Sequence, residues 1–253
     1  MKNFVKQADV RGTFKVPRTW SLKKNDHYNL RKILNLPKIR LPLSIFMILG
    51  VVTTASAHTI NYALEGQPAS HVFSYYLSLG FEHILPYGLD HILFVVGLYL
   101  LSPRLKDVFW QATAFTVAHT LTLILSMKNI IVAPPALIEP IIALSIVFIA
   151  VENLMSSRLQ VWRIGIVFLF GLVHGMGFAS ALNELGLPRD AFFSSLITFN
   201  IGVELGQMTV ILACWLAFGK WFSSEIWYRK RIVLPMSLAI AAIALVWTFE
   251  RIM

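Results

Sequence analysis

Six long apolar runs, separated by short joints carrying Pro, Gly or charge, leave this chain few ways to fold. They fall at about residues 87–102, 108–127, 137–155, 163–182, 191–218 and 232–249. Most approach or exceed the ~18–20 residues that a helix needs to cross a bilayer. The joints read SPRLKD, MKNIIVAPP, SSRLQVWR, NELGLPRD and SSEIWYRKR, all turn or breaker signals. Only 14% of the residues are charged, against roughly 25% in an ordinary soluble domain. The pattern predicts an all-α fold: a polytopic membrane protein with about six transmembrane helices after an N-terminal signal or anchor segment.

The net charge of +9 does not indicate a nucleic-acid partner. Residues 1–40 hold eleven of the 22 Lys and Arg and only two acids, and the remainder balances at eleven basic and eleven acidic residues. The excess therefore precedes the first apolar stretch, LPLSIFMILGVVTTASA at 41–57, which ends in an Ala-x-Ala pattern at Ala55–Ala57. Residues 1–57 read as a basic leader with a signal peptide or an uncleaved anchor. Cleavage after Ala57 would leave His58 as an N-terminal residue offering an amine and an imidazole to a metal. Residues 58–86 read as a periplasmic segment with a short interfacial helix, since Phe73, Tyr75 and Tyr76 suit a membrane surface. Residues 87–253 form the six-helix transmembrane domain.

With residue 58 outside, eight basic residues fall in inner joints: Arg104, Lys106, Arg158, Arg163, Lys220, Arg229, Lys230 and Arg231. Lys128, Arg189 and Arg251 fall outside. This asymmetry predicts a bacterial inner membrane protein with both mature termini periplasmic. Cys214 is the single cysteine, so no intrachain disulfide can form and a Cys-rich metal site is excluded.

Polar residues inside the apolar runs carry the functional signal. A charged group deep in hydrocarbon costs at least ~2.5–3.5 kcal/mol on insertion scales, so such groups usually face the bundle interior and have partners. Asp90 and His91 open the first run, with Glu82 and His83 just before them in GFEHILPYGLDHILFVVGL. His119 lies in the second run and His174 in the fourth, while Asn200, Glu204 and Gln207 share a face of the fifth. Glu139 opens the third run, as a rim ligand or a helix cap, and Glu152 closes it. Depth counting at ~1.5 Å per residue spreads these groups into a column. His83, Asp90, His91 and Glu139 lie outermost, His119, His174 and Glu204 near the midplane, and Glu152 at the inner end. An unbroken helix would hold His83 and His91 roughly 12 Å apart, but Pro86 and Gly88 predict a break that folds His83 back. Imidazole with carboxylate suits Ni²⁺, Co²⁺, Fe²⁺ or Zn²⁺.

The quoted stretch, together with FTVAHTLTL, EPIIALSIVFIAVENL, FGLVHGMGFA and FNIGVELGQ, resembles the HupE/UreJ family across about residues 70–215. The family's His-x-x-x-x-x-Asp-His signature maps onto His83, Asp90 and His91, here with six intervening residues and a Pro among them, which resembles the family's second branch. The resemblance implies nickel or cobalt uptake, or a link to hydrogenase or urease maturation. The expected function is a divalent-metal permease rather than an enzyme. Its partners would be the lipid bilayer, the metal ion and a periplasmic metal-binding or maturation protein. Its metal residues would be His83, Asp90, His91, His119, His174 and Glu204, with Glu139, Glu152, Asn200 and His58 as accessories. Two alternatives stay open: an intramembrane zinc hydrolase, and a non-transporting membrane partner that receives metal through His58.

Overall fold

A computed structural model describes Leu64, residues 66–188 and residues 191–253; the leader, its cleavage site and His58 lie outside the described residues. All regular structure among them is helical. The elements are α1 (Ala69–Ile84), α2 (Leu89–Leu101), α3 (Leu105–Met127), α4 (Pro135–Met155), α5 (Arg163–Leu185), α6 (Phe192–Cys214) and α7 (Leu234–Ile252). A π-turn, Trp215–Gly219, carries α6 on to Phe222, and a second π-turn, Arg229–Val233, leads into α7. Five helices are long and apolar enough to cross a membrane, and α1 with α2 makes a sixth as a pair bent by 67°. The chain is an all-α polytopic membrane protein. The physical requirement is plain: in hydrocarbon a helix satisfies its own backbone polar groups. Helices α3 to α7 occupy the apolar runs to within a few residues. Their ends follow local chemistry, with Pro at the start of α4, where its missing N–H costs no helical bond, and Gly186 at φ 66° after α5.

The start of the bundle departs from the sequence reading. At ~1.5 Å per residue, α2 alone measures about 20 Å, short of the ~30 Å hydrocarbon layer. The run 87–102 is therefore too short to cross alone, and only together with α1 does it reach the length and apolarity of a span. Rather than lying flat at an interface, α1 packs lengthwise on α6, with Tyr76 and Ile84 fully buried. Its contacts advance along both helices, Gly80 against Phe199 and Ile84 against Gly206, so the two run in the same direction. Glycines make this approach fit: a Cβ on Gly202 would run into the Leu77 carbonyl. Helix α1 thus ends beside the middle of the Phe192–Phe222 span. Helix α2 continues to the far end, where Gly97 meets Ile149 and the Gly97 carbonyl accepts from Asn153 Nδ2 at 2.8 Å.

Helices α3 and α5 form the other close pair. A Cβ on Gly175 would collide with the His119 carbonyl oxygen, so α5 crosses α3 backbone to backbone at that level. Apolar side chains such as Val117, Phe148, Leu169, Ile201 and Leu205 point outward and are exposed, as lipid-facing positions are.

Glu152, expected as an accessory metal residue at the inner end, sits in a structural ion pair. Glu152 Oε2 stands 2.9 Å from Arg163 Nη1, with the two side chains 7% and 0% exposed. The approach is charge to charge, without the alignment of a hydrogen bond to either carboxylate oxygen. Arg163 also donates to Asn153 Oδ1 and to the Gly97 carbonyl, which ties α2, α4 and α5 together. A carboxylate neutralised this way gives an ion no free charge to follow.

Candidate metal centre

The break between α1 and α2 creates the site. Leu85 N–H still donates to the Phe81 carbonyl, Pro86 has no N–H to give, and Gly88 N–H turns back to the Ile84 carbonyl at 3.1 Å. The new helix begins at once, with Ile92 N–H donating to the Gly88 carbonyl at 2.8 Å. Only glycine fits at 88, because a Cβ there would run into the His83 carbonyl. The outcome is a fold-back that brings the His83 and His91 rings to 4.7 Å, centroid to centroid.

Because α1 is inserted beside α6, this fold-back lies deep in the bundle. His119, from the middle of α3, sits 6.1 Å from His83 and 6.0 Å from His91. The three residues each offer a ring nitrogen, and these nitrogens lie within 4.8 Å of one another. The Nε2 atoms of all three are buried and have no hydrogen-bond partner. A tetrahedral ion with ~2.0–2.1 Å bonds needs nitrogens about 3.3 Å apart, a separation that small side-chain rotations reach. The column inferred from depth counting is therefore a single knot. Counting treated His83 and His91 as outermost because it placed α1 flat on the surface.

Groups from other helices orient the rings. Asn200 Nδ2 donates to the Leu196 carbonyl at 2.8 Å, which leaves Oδ1 as the acceptor facing His119 Nδ1 at 3.2 Å. The Nδ1–H of His119 is thereby fixed, and its Nε2 lone pair points free, the arrangement that ligating histidines use. His174, from α5, is a fourth ring 5.0 Å from His91. Ser145 Oγ donates to the Ile142 carbonyl at 2.6 Å and so accepts from His174 Nε2–H at 3.0 Å, leaving a buried, unpartnered Nδ1. His174 stands beside the triad and not within it. Phe178, only 4.0 Å from His83, Phe199 stacked on it at 5.0 Å, and Phe115 wall the knot with hydrocarbon.

Neither carboxylate expected among the ligands joins the rings. Asp90 is claimed by Arg251, whose Nη2 lies 3.0 Å from both carboxylate oxygens. Glu204 Oε1 accepts from Thr113 Oγ1 at 2.6 Å on the partly exposed seam between α3 and α6. Glu139 contributes its backbone carbonyl, which accepts from Arg251 Nη1 at 3.1 Å, while its side chain is exposed. Sequence reasoning passed over Ser145 and counted Arg251 only as one more basic residue. Arg251 had a signal, since a carboxylate at an apolar helix mouth needs a partner and few cations are available at that end. A cavity of about 610 Å³ opens between the starts of α1 and α6, lined by Val72, Phe73, Ser194, Ser195 and Thr198; no histidine borders it.

The fold-back gives a direct test. Gly88→Ala removes no ligand but pushes α2 off the His83 carbonyl. It is expected to weaken nickel or cobalt binding by ~10–100-fold, the range for losing a group that orients a ligand. Equilibrium dialysis of the purified variant would measure it, and unchanged affinity would mean that His83 and His91 do not share an ion.

A family described as HupE / UreJ protein matches residues 58–251. No match is found among the curated proteins or among the solved structures. Since the family match takes in every described helix and all four clustered histidines, the chain belongs to the HupE/UreJ family.

Proposed function

We propose that the protein is a permease for a divalent transition-metal cation, with nickel or cobalt the favoured cargo. The observation that carries this reading is the set of three buried Nε2 atoms without partners, on rings that converge from α1, α2 and α3. An unsatisfied buried polar atom is costly, and three of them on rings whose nitrogens lie this close together make sense as ligands. Family membership supports the choice of metal, because the family is associated with nickel or cobalt accessory and transport functions.

The chemistry suits cargo better than a resident ion. Neutral imidazoles replace part of the water shell without cancelling the ion's charge, and no carboxylate or thiolate anchors it in the triad. Binding is then strong enough to select a borderline metal and weak enough to release it. The excess of basic residues in the joints at the Arg163 end supports a cytoplasmic side there and a periplasmic side at the Arg251 end. An intramembrane hydrolase would need a general base beside an open metal position. Asp90 and Glu204, the carboxylates suited to that role, are engaged by Arg251 and Thr113.

Purified protein in liposomes is expected to move radiolabelled nickel or cobalt, and His83→Ala is expected to reduce that flux to the level of empty liposomes. Flux no greater than that of empty liposomes for both metals overturns the permease reading. A stoichiometric, tightly held zinc in the same non-transporting sample would favour the hydrolase instead.

A further inference from the structure

Two of the ion pairs among the described residues differ in character. Arg163 and Glu152 are 0% and 7% exposed and are locked among α2, α4 and α5. Arg251 and Asp90 are 20% and 26% exposed. Arg251 belongs to the last turn of α7, with its guanidinium 5.8 Å from the centre of the Trp247 ring. Three oxygens receive it: Asp90 Oδ1 and Oδ2 at 3.0 Å each, and the Glu139 carbonyl at 3.1 Å. One nitrogen serves both carboxylate oxygens, so the pair lacks the two-nitrogen fork that makes Arg–carboxylate contacts strong. Asp90 is also the residue before His91, in the first turn of α2.

A carboxylate and a carbonyl that converge on a positive group are a hard-donor seat for a cation. We propose that Asp90 and the Glu139 carbonyl form a cation-receiving site that the chain's own Arg251 fills at rest. An incoming divalent cation displaces the guanidinium from this site before passing to the histidines. The proposal rests on the metal-transport reading and adds to it a competitor built into the protein.

The physical case has three parts. A divalent ion interacts with Asp90 through twice the charge of a guanidinium. Partial exposure leaves the Asp90 carboxylate less enclosed than that of Glu152, so a competing cation meets less steric obstruction. The departing side chain also releases a tie, because Arg251 joins the last turn of α7 to the first turn of α2 and to the Glu139 carbonyl in the second turn of α4. Displacement therefore loosens the end of the bundle over the histidine knot when a cation arrives. The Glu139 carboxylate, exposed at the same rim, adds negative charge to draw the ion in.

The test measures Ni²⁺ and Co²⁺ binding to the full, purified chain by calorimetry. Removing the competitor in Arg251→Gln is expected to tighten apparent affinity by up to about fivefold, the scale of a partly exposed ion pair. Asp90→Asn is expected to slow association with the ion. The double variant Asp90→Asn/Arg251→Gln should behave like Asp90→Asn alone, since Arg251 acts through that carboxylate. Should Arg251→Gln not be recovered in folded form, Arg251→Lys keeps a cation on Asp90 but loses the second nitrogen, and its affinity should exceed that of the wild type. Unchanged or weaker binding in the folded single variant, or a gain that persists in the double variant, overturns the proposal while leaving the triad intact. A wild-type protein that binds neither metal overturns the transport reading and this proposal with it.

Discussion

His91→Ala is expected to abolish nickel and cobalt binding, with affinity falling by more than ~100-fold while the protein stays folded. Loss of a group that merely orients a ligand costs ~10–100-fold, and loss of a central ligand should exceed that. His91 touches every other ring of the knot, with His83 at 4.7 Å, His174 at 5.0 Å and His119 at 6.0 Å. Its Nε2 makes no hydrogen bond, so its removal strands no partner. His174→Ala is the informative contrast. That ring is tied to Ser145 and stands outside the triad, so its loss should weaken binding less than loss of His91 does. Calorimetric titration of both variants ranks them, and equal losses would place His174 among the ligands.

Arg163→Ala should have the largest effect on folding. Removing one partner of a buried ion pair costs ~3–5 kcal/mol, because the remaining charge stays buried without compensation. Arg163 also holds Asn153 and the Gly97 carbonyl, so its loss loosens the junction of α2, α4 and α5. Thermal unfolding in detergent should show a large drop or no recoverable folded protein. The double variant Arg163→Met/Glu152→Met, which removes both charges at similar volume, should regain most of the loss. A stable single variant would show that Glu152 is neutral in the folded protein, or reaches water.

The sequence carried the spans but not their depth. Uniform apolarity, broken by Pro, Gly and charge, located α3 to α7 because a membrane helix needs apolar length more than any particular neighbour. Helix α1 was harder to read. At 16 residues it spans about 24 Å, too short to cross, and its aromatic residues suggested a surface. What seats it is α6, through Gly202 and Gly206. Within the site, the fold-back of His83 onto His91 was legible in the LPYG break, where backbone chemistry is local. The fates of the carboxylates were not, since Asp90 meets Arg251 across 161 positions and Glu204 meets Thr113 across 91. Such partners depend on helix rotation and register, which apolar runs leave undetermined. The single error about α1 also split one cluster into two, because lifting it to the surface takes His83 and His91 away from His119.

Whether one metal ion is held by rings from α1, α2 and α3 can be read from X-ray absorption at the metal edge of nickel- or cobalt-loaded protein. The expected spectrum shows a nitrogen and oxygen shell with multiple scattering from three imidazoles per metal, reduced in His91→Ala at matched loading. A shell of oxygen ligands without imidazole scattering, or an unchanged spectrum in the variant, would overturn the shared triad.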